Sequence, residues 1–252
     1  MGAHWIETAA RHWRHGRIVG RRFAERRPGI RAALRAAAPD SVLLAGNSHA
    51  EFGGAPDLGG RPCINIAVGG STAADCGRHL AALRVPVRCA AAVLIIGTND
   101  IQRWRHPERA RVADRFEADV GGILRRLEPW AARVFVAAIP PIGAGAAGRD
   151  PAAVAVFTAR LAALCAAGGY AFIDPFAPWR SGAGGLAGPG LHRDGVHLAD
   201  YAPLAAALAR AVAVDIGTID ARASAAVPPA PVRRPAPAAP LRVLRAAWIG
   251  RP

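Results

Sequence analysis

The chain is expected to fold as a doubly wound α/β domain, and three features predict it. Short apolar runs recur along the chain, and helical patterns lie between them. With 252 residues, 52 % of them hydrophobic, there is ample apolar material to fill one core. Apolar runs joined by helices are the mark of a parallel sheet covered on both faces.

In chain order, residues 1–40 come first as a basic, partly helical extension. They set Trp13, Ile18, Val19 and Phe23 among arginines, as a basic amphipathic helix does. The strands follow at "SVLLAG" (41–46), "CINIAV" (63–68), "AAVLIIG" (91–97), "RVFVAAIP" (133–140) and "YAFID" (170–174). Helical patterns occupy 72–84, 107–128, 151–167 and 199–213, and a short helix is expected to begin near His49. These elements define a domain over residues 41–217. The tail, 218–252, contains "VPPAPVRRPAPAAP" at 227–240, whose six prolines in 14 residues require an extended linker. No internal repeat is apparent.

The net charge of +14 points towards a polyanionic partner until its distribution is considered. All 32 basic residues are arginine, which with the alanine and glycine load reflects a GC-rich coding bias. Residues 1–35 carry nine Arg against Glu7 and Glu25; residues 222–252 carry six Arg and no acid; the 186 residues between hold 17 Arg against 16 acids. The middle is therefore nearly neutral and the arms are basic. A weak contact with an anionic membrane or polyanion is expected of the arms alone, with no specific nucleic acid. Residues 36–221 are expected to fold and act without them, unless Trp13, Ile18 and Phe23 pack on the domain.

Cys63, Cys76, Cys89 and Cys165 form no CxxC pair and have no histidine at zinc-finger spacing, so they read as buried free thiols. The first 35 residues contain no apolar stretch of the kind a secretory leader carries. The longest run without a charged side chain, 134–148, is 15 residues broken by Pro140, Pro141 and three glycines. That is no membrane span, and the protein reads as cytoplasmic.

The chemistry-bearing residues stand where strands end. In a doubly wound sheet, ligands bind outside the carboxyl ends of the strands. Ser48 follows the first strand after Gly46 and Asn47, and a helix starting there would aim free N–H groups at the same spot. Gly70 follows the second strand in "VGGST", where it offers an unobstructed N–H, and Asn99 follows the third in "GTND" with an uncharged amide donor. Each is also ordinary turn or cap chemistry. Further on, Asp194 precedes His197 by three residues, a spacing that lets a carboxylate reach the imidazole Nδ1 while Nε2 faces outwards. His192 is a rival that belongs to the preceding loop.

Together, "GNSH", "NIAVGGST", "GTND" and "DGVHL" resemble, in order and position, the four blocks of the SGNH hydrolases, also called GDSL esterases or lipases. The resemblance covers about residues 41–213 and implies a three-layer α/β/α, flavodoxin-like fold with a five-stranded parallel sheet in the order 2-1-3-4-5. It also implies Ser48 as nucleophile, Asp194 and His197 as the rest of a catalytic triad, Ser48, Gly70 and Asn99 as the oxyanion hole, and neither metal nor cofactor. Asn47 stands where that family usually has Asp, and His49 where Leu is commoner. A neighbouring structural hydrogen bond is expected of His49. The expected activity is a serine esterase hydrolysing small acyl or acetyl esters through an acyl-enzyme. The alternatives are a thioesterase or lysophospholipase on the same scaffold, or a non-catalytic module binding anionic partners through its arms. "GNSHA" lacks the second glycine of G-x-S-x-G, which sets the α/β-hydrolases aside.

Overall fold

Strands form where the apolar runs predict them. In a computed structural model, residues 2–146, 148–182 and 184–226 are described, with side chains from residue 7 to residue 215 apart from the two gaps. The proline-rich stretch and the basic end of the tail, 227–252, lie outside the described residues.

Five strands, β1 (Val42–Gly46), β2 (Cys63–Asn65), β3 (Cys89–Ile95), β4 (Ala131–Ala137) and β5 (Ala171–Ile173), make one sheet. All neighbours are parallel, in the order β2-β1-β3-β4-β5. This is the sequence order 2-1-3-4-5, the flavodoxin-like arrangement. The central strands β1 and β3 are apolar on both faces because both faces are covered. Leu43, Ala45, Ala92 and Leu94 point into one core cluster, and Val42, Leu44, Ala91 and Val93 into the other.

The first face is covered by α1 (Gly2–Arg35), α3 (Ala73–Ala81), α4 (Ala110–Leu127) and α5 (Pro151–Gly168). The second is covered by the short α2 (Ser48–Phe52) and by α6 (Ala202–Ala226). The last helix is longer than its pattern suggested, running on past residue 213 and past the domain boundary expected at 217. By length and hydropathy α5 is apolar enough to cross a membrane. Its Ala153, Val154, Phe157, Leu161 and Cys165 nevertheless repeat at helical spacing into the sheet-face cluster, which is how a core helix is built.

Helix α1 is one continuous element whose apolar residues divide between two faces. Val19, Phe23, Ile30 and Leu34 are buried in the first cluster, whereas Trp13 and Ile18 are each 62 % exposed. The Phe23 ring stacks on His79 of α3 at 4.3 Å, and Arg26 Nε donates to the Ala67 carbonyl at 3.0 Å. All four cysteines are free. Burial pushes the Cys63 and Cys76 thiols up to about 12 and Cys165 to about 11, so they remain protonated.

Candidate active site

The turn after β1 exists because Gly46 lies against the neighbouring strand. Its φ is +134°, and a Cβ there would stand 1.9 Å from the Ile95 carbonyl oxygen, so no other residue fits. Asn47 then caps α2, its Oδ1 accepting the His49 N–H at 3.0 Å. Ser48 is the first helical residue and is 4 % exposed. Asn47 thus does the capping an aspartate would do, at the cost of a buried Nδ2 with no partner.

Two more strand ends converge on Ser48. Gly70 sits in the left-handed region at φ +82°, with Val19 of α1 closing over it; a Cβ there would come within 3.3 Å of Val19 Cγ2. The preceding Gly69 donates its N–H to Glu51 on α2, and Arg22 and Arg26 of α1 lie 3.7 and 3.5 Å from the same carboxylate. Among the described residues, the N–H groups of Ser48 and Gly70 have no hydrogen-bond acceptor.

Beyond β3, Asn99 is held at both ends of its amide. Its Nδ2 donates to the Ser71 carbonyl at 3.1 Å, and its Oδ1 accepts from Arg149 Nη2 at 3.1 Å. Arg149 Nε donates to the Thr98 carbonyl at 3.0 Å. A flipped amide would set oxygen against oxygen and NH₂ against guanidinium, so this contact defines the orientation. One Nδ2 hydrogen remains for a further acceptor.

His197 joins this cluster from the loop before α6. Its Nε2 lies 3.0 Å from Ser48 Oγ and its Nδ1 lies 2.6 Å from Asp194 Oδ2. Asp194 Oδ1 accepts two backbone N–H groups, from His197 at 2.7 Å and Val196 at 3.0 Å. Burial tends to raise the Asp194 pKa, but the His197 ring and these two N–H groups prevail and hold the carboxyl far below its usual range. Because an ionised carboxylate only accepts, the Nδ1 proton belongs to His197, which leaves Nε2 free to accept from Ser48. His192 takes no part, since its Nε2–H donates to the Pro141 carbonyl at 3.0 Å.

Of the five residues expected at the site, Ser48, His197 and Asp194 are joined by direct contacts, and Gly70 and Asn99 follow the two strands that flank β1. His49 is fully buried, 5.8 Å from the His197 ring, with the Tyr201 hydroxyl 3.4 Å from its Nδ1. Burial, followed by the nearby His197, His192 and Arg149, lowers its pKa to about 3, so it is neutral. Phe52 forms a wall beside His197, ring to ring at 5.1 Å, and the Arg193 guanidinium lies 4.9 Å over it. Outside this cluster, Trp179 lines a cleft between the end of β5 and α6, and Arg180 pairs with Asp174 at 2.7 Å. Among the described residues, no cluster of histidine, cysteine or carboxylate side chains could hold a metal ion.

Arg149 and Glu51 were not expected. Arg149 meets Asn99 across 50 residues of chain, and Glu51 meets Gly69 across 18, so neither contact carries a local signature. The acid at Glu51, one turn after the serine on a short helix, was the only available hint.

The sequence matches the GDSL-like Lipase/Acylhydrolase family over residues 43–202. A comparison with curated proteins returns no match. Among solved structures, a protein from Streptococcus pneumonia described as a candidate platelet activating factor is similar at 18 % identity, covering 81 % of this chain and 99 % of its own, with a TM-score of 0.66. A GDSL-like lipase from Bacteroides thetaiotaomicron is similar at 17 % identity, over 77 % and 98 %, with a TM-score of 0.61. The lipase/acylhydrolase from Enterococcus faecalis is similar at 16 %, over 71 % and 97 %, with a TM-score of 0.53. At these identities the three structures speak for the fold.

Proposed function

From the premise that this chain belongs to the GDSL-like lipase/acylhydrolase family, we propose that it is a serine esterase cleaving small acyl or acetyl esters through an acyl-enzyme. The observation that carries the reading is the unbroken relay Asp194–His197–Ser48, with links of 2.6 and 3.0 Å. In this mechanism Ser48 Oγ attacks the ester carbonyl while His197 Nε2 takes its proton. Asp194 keeps the ring in that tautomer and stabilises the imidazolium.

The tetrahedral oxyanion is received by the N–H groups of Ser48 and Gly70 and by Asn99 Nδ2. All three are neutral donors fixed before the substrate arrives, and one such donor contributes on the order of 10²–10³ in rate. His197 then returns its proton to the departing alkoxide. Water repeats the attack on the acyl-enzyme with His197 again as base. Arg149 supports this by holding Asn99 Oδ1, which fixes the amide and polarises its N–H bonds towards the oxyanion.

A fluorophosphonate probe tests the nucleophile, and it should label Ser48 alone. Ser48→Ala and His197→Ala should each abolish ester hydrolysis, and the double variant should be no worse than either, because the two act as one unit. Labelling that persists in Ser48→Ala would mean that the nucleophile lies elsewhere. A panel of p-nitrophenyl esters from acetate to palmitate, run beside acetylated sugars, acyl-CoA and a lysophospholipid, separates the esterase from the thioesterase and lysophospholipase.

A further inference from the structure

We infer that the outward face of α1 is a docking surface for an anionic lipid bilayer, with Trp13 and Ile18 entering the headgroup boundary and Arg14, Arg17 and Arg21 facing the phosphates. The inference does not depend on the proposed reaction.

The helix presents two different surfaces. Val19, Phe23, Ile30 and Leu34 are spent on the core, so hydrophobic packing explains one side of α1 and only that side. On the other side, Trp13 and Ile18 are each 62 % exposed and border a shallow groove with Arg14, Arg17 and Arg21. From residue 13 to residue 24 there are four arginines and no acid. Among the described residues, none of Arg14, Arg17 and Arg21 has a carboxylate within ion-pair distance. The Arg17 guanidinium lies 4.7 Å from the centre of the Trp13 ring, so cation and indole are presented together.

That combination selects its occupant. An indole and an aliphatic side chain between arginines on one helical face is the composition of a helix lying in a membrane interface. A two-fold symmetric contact with a second copy of this chain is disfavoured, because it would set two positive faces together. The chain's own residues 227–252 are disfavoured too, since they hold arginines and no acid. Nucleic acid would satisfy the guanidiniums but leave Ile18 in water. An anionic bilayer satisfies both sets of groups, at about fivefold in affinity for each guanidinium that meets the surface.

The experiment is co-sedimentation of the full chain with vesicles of phosphatidylcholine alone and of phosphatidylcholine with phosphatidylglycerol, beside a single-stranded DNA titration. Binding is expected to the anionic vesicles only and to weaken as salt rises. Arg14→Gln/Arg17→Gln/Arg21→Gln should weaken it on the order of 100-fold. Trp13→Ser/Ile18→Ser should weaken it while every charge is retained. Both variants should keep the parent's melting temperature, because all five side chains are exposed. The inference is overturned by equal binding to neutral vesicles, or by no vesicle binding. It also fails if Trp13→Ser/Ile18→Ser binds vesicles as the parent does, or if DNA binds more tightly than vesicles, which would make the face a plain polyanion site.

Discussion

Deleting residues 1–35 is the perturbation that most directly tests the packing of α1. Charge alone suggests that a basic arm can be removed without harm, but four side chains of this helix lie in the core: Val19, Phe23, Ile30 and Leu34. Burial of such side chains stabilises by about 1.5–3 kcal/mol each, or about 6–12 kcal/mol together, as an upper bound. A domain of this kind holds about 5–15 kcal/mol in all. The shortened chain should therefore be unfolded or close to its threshold at room temperature.

The damage should also reach the chemistry. Val19 covers Gly70, and Arg22 and Arg26 flank the Glu51 carboxylate that takes the Gly69 N–H. Thermal melting and the p-nitrophenyl acetate rate, measured on the full and shortened chains, read the two effects. Phe23→Ala provides a milder second test; it should cost about 3 kcal/mol, a fall of roughly 6–12 °C in melting temperature. A shortened chain that melts within 2 °C of the parent, about the shift that 1 kcal/mol produces, and keeps its rate would refute the reasoning, and α1 would be an appended arm.

Asn99→Ala should lower kcat by about 10²–10³-fold with KM nearly unchanged; a rise in KM alone would make the amide a ground-state binder. Arg149→Met should lower kcat by a smaller factor, and adding it to Asn99→Ala should cost nothing further, so additive losses would disprove its action through Asn99. Asp100 supplies a pH test. Burial raises its pKa to about 7, against the Ala73 N–H and Arg105, which favour the carboxylate. The folded state therefore prefers the protonated acid; its contribution is complete below the unfolded pKa of about 3.9 and lost as pH rises through 7. The melting temperature of Asp100→Asn minus that of the parent should accordingly grow between pH 5 and 8, and a constant difference would count against a buried, titrating acid.

The strands were legible because each is an apolar run closed by a residue that cannot continue it. Gly46 is the clearest, since its contact with the Ile95 carbonyl admits no side chain. The placing of Ser48, Gly70 and Asn99 was legible because a parallel sheet brings every strand's carboxyl end to one edge, and the Asp194–His197 contact was legible in its three-residue spacing. Arg149, Glu51 and Arg22 were not, because they act across long stretches of chain and look like any solvated charge. In α1 the apolar residues were visible but their division was not. Trp13, Ile18 and Phe23 appeared as one set, whereas helical spacing groups Phe23 with Val19 and Ile30 and turns the other two away. The end of α6 was obscured because the helix runs on through Gly217, a residue that ordinarily ends one.

The hydrogen bond between Ser48 and His197 spans 149 residues of sequence. Closing so long a loop is expected to come late in folding, after the local helices and neighbouring strands have formed. On the proposed mechanism, a growing or partly folded chain can hold Ser48 at the end of β1 while the histidine that would serve as its base is still missing. Such a species would bury surface and show secondary structure without turning over an ester. Recovery of hydrolysis during refolding should therefore lag behind the circular dichroism signal, so that enzyme turnover marks the arrival of the last segment of the domain.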